Sequence, residues 1–366
     1  MKKGWKKVRL GDVVSLNYGK ALTSFNRMHG SIPIYSSAGI TGYHDKPLVE
    51  SAGIIIGRKG TIGTVYYSSV PFFCIDTAYF ILPSENFDLK YMYYRLRSLG
   101  LEKLNEDSAV PGLNRETAYN QSFYIPPISG QRDIASILSC LDDKIEFNTK
   151  INHHLEQMAQ AVFKSWFVNF EPSRPFTDII QVLGGGTPKT TVDDYWGGSI
   201  PFFTPKDALT TYVSSTEKSL TEVGLKNCNS HLYPVNTVFV TARGTVGKIA
   251  LAGIPMAMNQ SCYALVGIEG YGQHFVYHLT LEVVNSLKHK AFGAVFDAIV
   301  TRDFESEIVP VPSLDAVKSF EEKVVPIYAS ILNNSNESVR LATIRDTLLP
   351  RLMSGDLSVS DLEPAK

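Results

Sequence analysis

The chain has few of the residues that build metal centres or disulfide frameworks. Its 366 residues include only four cysteines, at positions 74, 140, 228 and 262, and their spacing fits no metal-ligand pattern. They are expected to be reduced thiols of a cytoplasmic protein. The eight histidines form no ligand cluster, and the adjacent His153 and His154 would point to different sides of a helix. No metal site is predicted.

Long apolar runs are also missing. No run approaches the ~20 residues that a membrane-spanning helix needs, so no membrane partner is predicted. Lysines at positions 2, 3, 6 and 7 precede no apolar segment, which argues against a signal peptide. The formal net charge of −1 argues at first against nucleic acid. Residues 1–126, however, carry 15 Lys and Arg against 10 Asp and Glu, which weakly favours a polyanionic partner.

Motifs for nucleotide, acyl and methyl transfer are absent as well. Residues 245–249 lack the hydroxyl residue and upstream glycine of a P-loop, and residues 184–189 lack the third glycine of a dinucleotide-binding turn. There is no Gly-x-Ser-x-Gly motif. An Asn-Pro-Pro-aromatic stretch, which adenine methyltransferases use, is not found either. The sequence therefore predicts a non-catalytic chain.

What the chain does contain is a long internal repeat. Residues 54–82 return 184 positions later as residues 238–266 without a gap, with five of 29 positions identical and the apolar pattern kept. Residues 30–35 match residues 198–203 at an offset of 168, so the second copy holds 16 extra residues between Phe203 and Val238. Such a duplication predicts two domains that perform one task at two places.

Each copy is followed by a pattern typical of a long helix. Over residues 131–168, apolar positions alternate at spacings of three and four, and a second series repeats them at an offset of 186. The first series is Ile134, Leu138, Leu141, Ile145, Leu155, Ala159, Val162 and Trp166, and the second is Phe320, Val324, Ile327, Ile331, Leu341, Leu348 and Leu352. Pro326 predicts a kink or a fresh start in the second helix.

Both helices carry polar residues in the apolar frame. Asn148 and Asn152 interrupt the first, while Asn334 and Ser338 fall on the same places in the second. If the helices pack antiparallel about a pseudo-two-fold axis, the polar layers meet, and buried asparagines fix register and orientation. The alternative is that these side chains face solvent and the frame drifts.

Short β-type runs alternate with glycine turns in each copy, and one helix is predicted near 87–104 and its counterpart near 272–289. The fold class is therefore α+β. The turn at 57–63 places Arg58 and Lys59 between two strands, and its partner at 242–247 is followed by Lys248. Glycines there permit close approach to a ligand. A tight hairpin with incidental surface charge is the competing interpretation.

Proline-rich segments at 125–130, 171–175 and 309–313 are interpreted as linkers. They divide the chain into a first domain at 1–129, a first spacer helix at 130–171, a second domain at 172–312, and a second spacer helix with its tail at 313–366.

Several stretches together resemble the specificity subunit of type I restriction–modification systems. In the first copy these are residues 10–14, 18–22, 54–60 and 75–78; in the second they are 185–189, 195–201 and 243–247, with the tail 348–355. The resemblance covers essentially the whole chain, with almost nothing before the first domain. It implies two duplicated α/β target recognition domains, separated by two long antiparallel helices, that each read one half of a bipartite site in double-stranded DNA.

The resemblance also implies partners. Two methylation subunits would bring S-adenosylmethionine, and restriction subunits would use ATP and Mg²⁺, while this chain would bind no cofactor itself. Base reading needs side chains at groove edges. The candidate DNA-binding residues are Lys20, Arg27, Tyr43, His44, Arg58, Lys59, Asn114 and Arg115 in the first domain, and Thr187, Lys189, Lys206, Arg243, Lys248, Thr301 and Arg302 in the second. Arg115 and Arg302 are assigned to matching loops.

Two other functions compete with this hypothesis. The first is an interaction scaffold that binds proteins through its paired helices and does not read DNA. A gel-shift with and without a methylation subunit distinguishes this scaffold from a DNA-reading subunit. A self-contained DNA enzyme would need a catalytic constellation that the sequence does not show.

Overall fold

The computed structural model describes residues 4–105, 111–167, 169–290 and 297–362, and the chain divides into two compact units. Unit 1 comprises residues 1–143 and 341–366, and unit 2 comprises residues 144–340. Both units mix helices with sheets, which confirms the α+β class predicted from sequence.

Unit 1 is built from nine strands and three short helices within its described residues. In chain order they are β1 (Lys6–Arg9), α1 (Leu10–Val13), β2 (Asn17–Tyr18), β3 (Ile32–Ser36), β4 (Gly39–His44), β5 (Gly53–Gly57), β6 (Val65–Ser68), β7 (Phe73–Cys74), β8 (Ala78–Ile81), α2 (Leu89–Arg97), α3 (Arg115–Tyr119) and β9 (Ser122–Ile125). The long helix α4 (Ile128–Phe167) follows.

The sheet order in unit 1 is β2-β8-β5-β6 and, in a second sheet, β4-β3-β7. Strand β5 has the sequence Gly-Ile-Ile-Ile-Gly and is buried along its whole length. A continuous run of β-branched residues is what a strand covered on both faces requires. Helix α2 begins at the cap Asp88, whose carboxylate accepts a hydrogen bond from Tyr91 N at 2.9 Å.

Unit 2 contains ten strands and three helices of its own within its described residues, and the second long helix begins in it. They are β10 (Pro172–Pro175), β11 (Ile180–Gly184), β12 (Trp196–Phe203), β13 (Tyr212–Val213), β14 (Lys218–Leu220), α5 (Glu222–Lys226), β15 (Val238–Thr241), β16 (Ile249–Ala252), β17 (Ala257–Met258), β18 (Cys262–Gly267), α6 (Gln273–Lys290), α7 (Thr301–Ser306), β19 (Ile308–Pro310) and α8 (Leu314–Ser354). The sheet orders are β11-β18-β15-β16-β13 and β14-β12-β17.

The backbone pairing reproduces the sequence repeat. Ile54 pairs with Ile81 between β5 and β8, and Val238 pairs with Leu265 between β15 and β18, each 184 positions later. The order β2-β8-β5-β6 is matched by β11-β18-β15-β16. The order β4-β3-β7 is likewise matched by β14-β12-β17. The longer connection of the second copy adds β13 and α5, which have no counterpart in the described residues of unit 1. The predicted duplication is therefore confirmed at the level of strand register.

The two long helices are confirmed as well, at Ile128–Phe167 and Leu314–Ser354, although residue 168 of the predicted span lies outside the described residues. In unit 2, the apolar core joins Ala159, Phe163 and Phe167 of α4 to residues of α8 such as Phe320 and Tyr328. Packing of these faces, rather than intrinsic propensity, accounts for most of the stability of such helices.

Pro326 does not restart the helix, because α8 is continuous through it. The residue lies on the exposed side of the helix. Proline has no N–H, so the backbone carbonyl one turn earlier has no helical donor, and water can bond to it on this exposed side. The carbonyl of Pro326 itself accepts a hydrogen bond from Ser330 Oγ at 2.9 Å. The predicted fresh start was wrong for this reason.

The segment at 171–175 is not a simple linker. Pro172–Pro175 forms β10, which pairs antiparallel with β19 at Ile308–Pro310. Strands β10 and β19 form a sheet of only two strands, where prolines are tolerated because every strand is an edge. Similarly, β1 pairs with β9, so in each copy of the repeat the strand before the globular part pairs with the strand that precedes the next long helix.

Candidate functional site

The glycine turn that follows β5 and β15 has the same backbone conformation in both units. Gly60 and Gly63 have φ of +77° and +70°, and Gly244 and Gly247 have φ of +81° and +75°. These values lie in the left-handed region that favours glycine. A Cβ at Gly63 would stand 2.1 Å from the backbone N of Glu102. Glycine is therefore required both by the turn and by its contact with the neighbouring segment.

A second segment is hydrogen-bonded beside each turn. Leu113 N donates to the Arg58 carbonyl at 2.8 Å, and Ile299 N donates to the Ala242 carbonyl at 2.9 Å. The position of Arg58 is thus occupied by Ala242 in unit 2, while the next position is basic in both units. The structure brings together, in each unit, a glycine turn and the residues just before the last short helix.

In unit 1 these elements surround an open cleft of ≈ 320 Å³. It is lined by Tyr18, Arg58, Lys59, Tyr79, Gly112, Leu113, Asn114, Arg115 and Glu116. The guanidinium carbon of Arg58 lies 5.2 Å from the centroid of the Tyr18 ring, and that of Arg115 lies 5.3 Å from it. Both distances fall within the range of cation–π attraction, so the half-exposed ring holds two cations.

Arg58 is held in place by the cleft wall. Its Nε and Nη2 donate to the Asp76 carbonyl at 3.2 and 2.9 Å, and its guanidinium carbon also lies 5.8 Å from the Tyr79 ring. Tyr18 meets Tyr79 edge to face at 5.1 Å. Burial raises the pKa of Tyr79 to about 12, so its hydroxyl is protonated and donates to the Leu113 carbonyl at 3.2 Å. The cleft is therefore cationic, and its wall fixes the orientation of Arg58 through hydrogen bonds and ring contacts.

In unit 2 the cations beside the turn line a cleft that is built from other segments. A cleft of ≈ 310 Å³ is lined by Thr204, Pro205, Lys206, Glu217, Lys218, Arg243, Gly244, Asn259 and Ser261. Arg243 is exposed, Lys206 lies 3.7 Å from the Glu217 carboxylate, and Lys218 lies over the Trp196 ring at 5.6 Å. Lys206 lies in the longer connection of this copy, and Lys218 lies in β14, which pairs with β12 as β4 pairs with β3. The two units therefore present different side chains on a similar backbone arrangement.

The remaining candidates are mostly available at the surface. Lys20, Tyr43, Lys59, Thr187, Lys189, Lys248, Thr301 and Arg302 are exposed. Thr187 Oγ1 donates to Gln260 Oε1, which ties the 185–189 segment to the loop before β18. Lys206 and Lys248 also line a larger groove of ≈ 930 Å³ in unit 2, between residues 206–217 and the long helices.

His44 is a correction to the predicted set. It is only 8% exposed, and its Nδ1 accepts a hydrogen bond from Met28 N at 3.1 Å. Arg27 is half-buried and donates from Nη1 to the Thr41 carbonyl at 2.8 Å. Both side chains attach residues 24–29 to β4, so their main work is to position this segment. Phe25 at its centre is 94% exposed.

The residues after the glycine turns are also placed differently from the prediction. Arg115 and Arg302 lie in the short helices α3 and α7, not in loops, and Arg115 is the first residue of its helix whereas Arg302 is the second of its own. Asn114 caps α3, because its Oδ1 accepts from Glu116 N at 2.8 Å. Its side-chain oxygen is therefore already used as the acceptor of the capping hydrogen bond.

Sequence reasoning missed Tyr18, Lys218 and Trp196. Tyr18 lies 40 positions before Arg58, and only the pairing of β2 with β8 brings them together. The available signal was the family-like stretch at 18–22, which begins with this aromatic residue.

The polar layer between the long helices is confirmed in unit 2. Asn148 is fully buried, and its Nδ2 donates to the Asn334 carbonyl at 3.3 Å, to Glu337 Oε2 at 2.8 Å and to Ser338 Oγ at 3.3 Å. Asn334 Nδ2 in turn donates to Asn152 Oδ1 at 2.9 Å. The α8 partners of Asn148 and Asn152 have lower residue numbers as the position along α4 increases, so the two helices run antiparallel here. The alternative, in which these side chains face solvent, is wrong for Asn148.

Unit 1 has its own polar contact between the two helices. Arg345 Nη1 of α8 lies 2.6 Å from Asp142 Oδ1 of α4, and Tyr94 OH of α2 donates to Asp142 Oδ2 at 2.6 Å. Burial and then the Asp142 carboxylate raise the pKa of Tyr94 well above its usual range. Its hydroxyl therefore stays a donor across the whole working pH range.

A buried histidine links three helices of unit 2. His278 Nδ1 lies 2.7 Å from Gln160 Oε1, its Nε2 lies 2.9 Å from Tyr328 OH, and its ring stacks on Phe163 at 5.0 Å. Burial, followed by the neighbouring His274, lowers the pKa of His278 to about 3. The imidazole is therefore neutral at physiological pH.

Two negative findings apply to the described parts of the chain. No group of three or more His, Cys, Asp and Glu side chains there is arranged to hold a metal ion. Within the same residues, none of the helices is both long and apolar enough to cross a bilayer.

Comparison with known proteins assigns this architecture to a family. Residues 2–157 and 169–339 match the family model described as "Type I restriction modification DNA specificity domain". The two matched stretches cover most of the chain and follow the duplication.

Individual relatives agree with that match. The chain is 26% identical to the specificity subunit of the type I restriction enzyme HindI of Haemophilus influenzae over 328 residues, covering 68% of this chain and 71% of that protein. It is 24% identical to the MjaIX specificity subunit of Methanocaldococcus jannaschii over 365 residues, covering 90% and 84%. The crystal structure of the S subunit from M. genitalium has the same fold, with a TM-score of 0.60, 18% identity and 96% coverage of both chains.

Proposed function

The chain belongs to the type I restriction–modification DNA specificity family, and we propose that each of its two recognition domains reads one half of a bipartite DNA target. The observation that carries this proposal is the duplicated unit, with one backbone plan and two different sets of exposed side chains. A duplicated scaffold with divergent surface residues suits an asymmetric site, because each copy can select its own bases.

The surface around each glycine turn is suited to this task. Arg58, Lys59 and Arg115 surround the cleft of unit 1, and Lys206, Lys218 and Arg243 surround that of unit 2. Cationic side chains neutralise phosphates, and those that reach base edges select sequence. We assign these two clefts to the DNA-facing side of their domains.

The long helices are proposed to set the gap between the two half-sites and to dock methylation subunits. A ruler must keep one register, and the buried Asn148 layer in unit 2 disfavours sliding of one helix along the other, because any slip would strip its hydrogen bonds. Dimer geometry fixes half-site spacing in the same way in other DNA-binding proteins.

The activity of the assembly is proposed to lie in partner subunits. Two methylation subunits would bind S-adenosylmethionine, and restriction subunits would use ATP and Mg²⁺, while this chain supplies sequence choice and no catalytic group. We expect the complex in the cytoplasm, where its DNA substrate is. The net charge of −1 is consistent with partners that supply much of the phosphate contact.

A domain exchange tests the proposal. Residues 174–310 are replaced by the second domain of another family member, and methylated sites are mapped in a host that carries the system with and without this gene. One half-site should change and the other should stay the same. A change in both halves contradicts modular reading.

A gel-shift separates the proposal from a scaffold without DNA readout. The full chain is assembled with its methylation subunits and titrated with a duplex that contains the mapped site and with a scrambled duplex. Preference for the mapped site, lost when the chain is omitted, is the expected result. Equal binding with and without the chain contradicts the proposal.

A further inference from the structure

Among the described residues of unit 2, no group of side chains matches the Tyr18 cleft of unit 1. Tyr18 pairs with Tyr79, and Gly184 pairs with Tyr263 at the same place in the other sheet. Gly184 therefore stands where Tyr18 does, and a Cβ built on it would meet nothing within 4 Å. Unit 2 has no aromatic ring at this position.

The two arginines of the cleft are missing from unit 2 as well. Ala242 occupies the place of Arg58, as the hydrogen bonds beside the turn define. Thr301 is the first residue of α7, as Arg115 is the first residue of α3. All three side chains that form the cation–aromatic group in unit 1 are thus replaced by small ones.

The positive charge of the cleft is largely uncompensated. Among the described residues, Arg58 and Lys59 form no ion pair, and Arg58 instead donates to the neutral Asp76 carbonyl. Arg115 Nε lies 3.9 Å from Glu116 Oε1, with the two side chains 40% and 73% exposed. Exposed pairs of this kind contribute little and are readily exchanged for another anion.

We propose that the Tyr18 cleft clamps one phosphate of the DNA backbone between Arg58 and Arg115, and that only the first domain has this clamp. The inference rests on the proposed function and adds to it the kind of contact that this site makes. Lys59 lies on the same turn and adds charge at the rim.

A phosphate fits this site better than a base does. The Tyr18 ring is already covered by two guanidinium groups, which compete with base stacking. Arg58 also donates from Nε and Nη2 to the Asp76 carbonyl. One of the two pairs of N–H groups with which a guanidinium can contact guanine bidentately is therefore occupied. The remaining N–H groups can still donate to phosphate oxygens one at a time.

The distribution of charge agrees with this division between the domains. Residues 1–126 hold 15 basic against 10 acidic residues, whereas residues 173–312 hold 10 basic against 12 acidic ones. The first domain would therefore supply more of the sequence-independent attraction, and the second would depend more on direct contacts with bases.

The test measures DNA affinity against salt concentration for the chain assembled with its methylation subunits. The variants are R58Q and R115Q, and the duplexes are the mapped target and the same duplex with single base changes in the first half-site. Each variant should bind on the order of tenfold more weakly, by a similar factor on every duplex. The slope of log K against log salt should become less negative in each variant, by up to ~0.9, because a single phosphate contact is weakened or lost.

K90Q is the matched control, because Lys90 also lies in unit 1 but is not among the residues that line the cleft, and its Nζ lies 3.7 Å from the Asp143 carboxylate. It removes the same charge and should leave the salt slope unchanged. A loss in R58Q and R115Q that is confined to certain bases, or an unchanged slope, overturns the phosphate clamp.

Tyr18 is a positioning residue, and a pair of variants tests that role. Y18F keeps the ring and should bind like the wild type, whereas Y18L removes it and should weaken binding a few-fold on every duplex without any change in net charge. Equal binding by Y18L and the wild type contradicts the role of the ring. A wild-type complex that binds DNA but does not prefer the mapped target refutes the proposed function, while the clamp is still tested by the salt slopes.

Discussion

Asn148 offers a quantitative test of how the helix pair in unit 2 is held together. Its side chain is fully buried and donates three hydrogen bonds, of which only the one to Glu337 is short, at 2.8 Å. Its Oδ1, by contrast, is buried and has no hydrogen-bond partner among the residues that the structure describes. The residue therefore combines a favourable donor with an unfavourable acceptor, and two substitutions separate the two effects.

N148A removes the donor and leaves a small void. Each partner that it abandons keeps another contact: Glu337 lies 3.1 Å from Lys144 Nζ, and Ser338 Oγ donates to the Asn334 carbonyl. No partner is left stranded, so we expect a loss of about 2 kcal/mol, from net hydrogen bonding of ~1 kcal/mol and a cavity term of similar size.

N148L loses the same hydrogen bonds but also removes the orphaned oxygen and buries apolar surface. Replacement of a buried polar group by a hydrophobic one of similar volume is often neutral or stabilising. N148L should therefore be at least ~1 kcal/mol more stable than N148A and close to the wild type.

Hydrogen exchange of the 144–167 and 314–340 peptides measures these differences locally, which matters because a chain with two units need not unfold in one step. N148A should exchange roughly 30-fold faster in these peptides, since ~1.4 kcal/mol corresponds to a factor of ten. N148L and the exposed control K150A should stay within about threefold of the wild type. If N148L exchanges as fast as N148A, the donor dominates and the orphaned oxygen has no measurable cost.

Two further predictions concern the spacing of the half-sites and pH. Insertion of one heptad in each helix, after Ile145 and after Arg340, lengthens each by ~10 Å, or about 3 base pairs, so methylation mapping should show a longer gap with both half-sites unchanged. An altered base within a half-site would refute the ruler. The pKa of His278 in the folded chain is about 3, below its ordinary value of 6.5, so the unfolded chain binds an extra proton as pH falls through 6.5. Stability is therefore complete above this pH and falls by up to ~1.4 kcal/mol per unit below it. H278Q should lose that dependence in denaturant titrations between pH 8 and pH 5, and an identical slope in both proteins would contradict this account.

The features that the sequence predicts well are those with a strong local or periodic cause. The glycine turns recur because a Cβ at Gly63 would collide with backbone, and the helices follow from an apolar frame that is buried at Leu138 and Phe320. The Asn148 layer was predictable because the same frame placed polar residues at equal heights in both helices.

The features that were missed depend on contacts between distant residues. Tyr18 becomes part of the site only when β2 pairs with β8, and nothing in its neighbours along the chain marks it as the partner of two arginines. The burial of His44 likewise depends on how residues 24–29 fold over β4. Pro326 was misjudged because its effect depends on which side of the helix faces water.

The composition of the two units has a consequence for synthesis of the chain. Unit 2 is made of one continuous stretch, residues 144–340, and has all of its residues as soon as that stretch has left the ribosome. Unit 1 is made first but includes residues 341–366, and its core contains Leu349, Leu352 and Met353 beside Ile134 and Leu138. Unit 1 therefore cannot complete its core until the last helix has been translated. A chain that stops after Arg340 lacks part of the core of unit 1, although most of that unit is synthesised first.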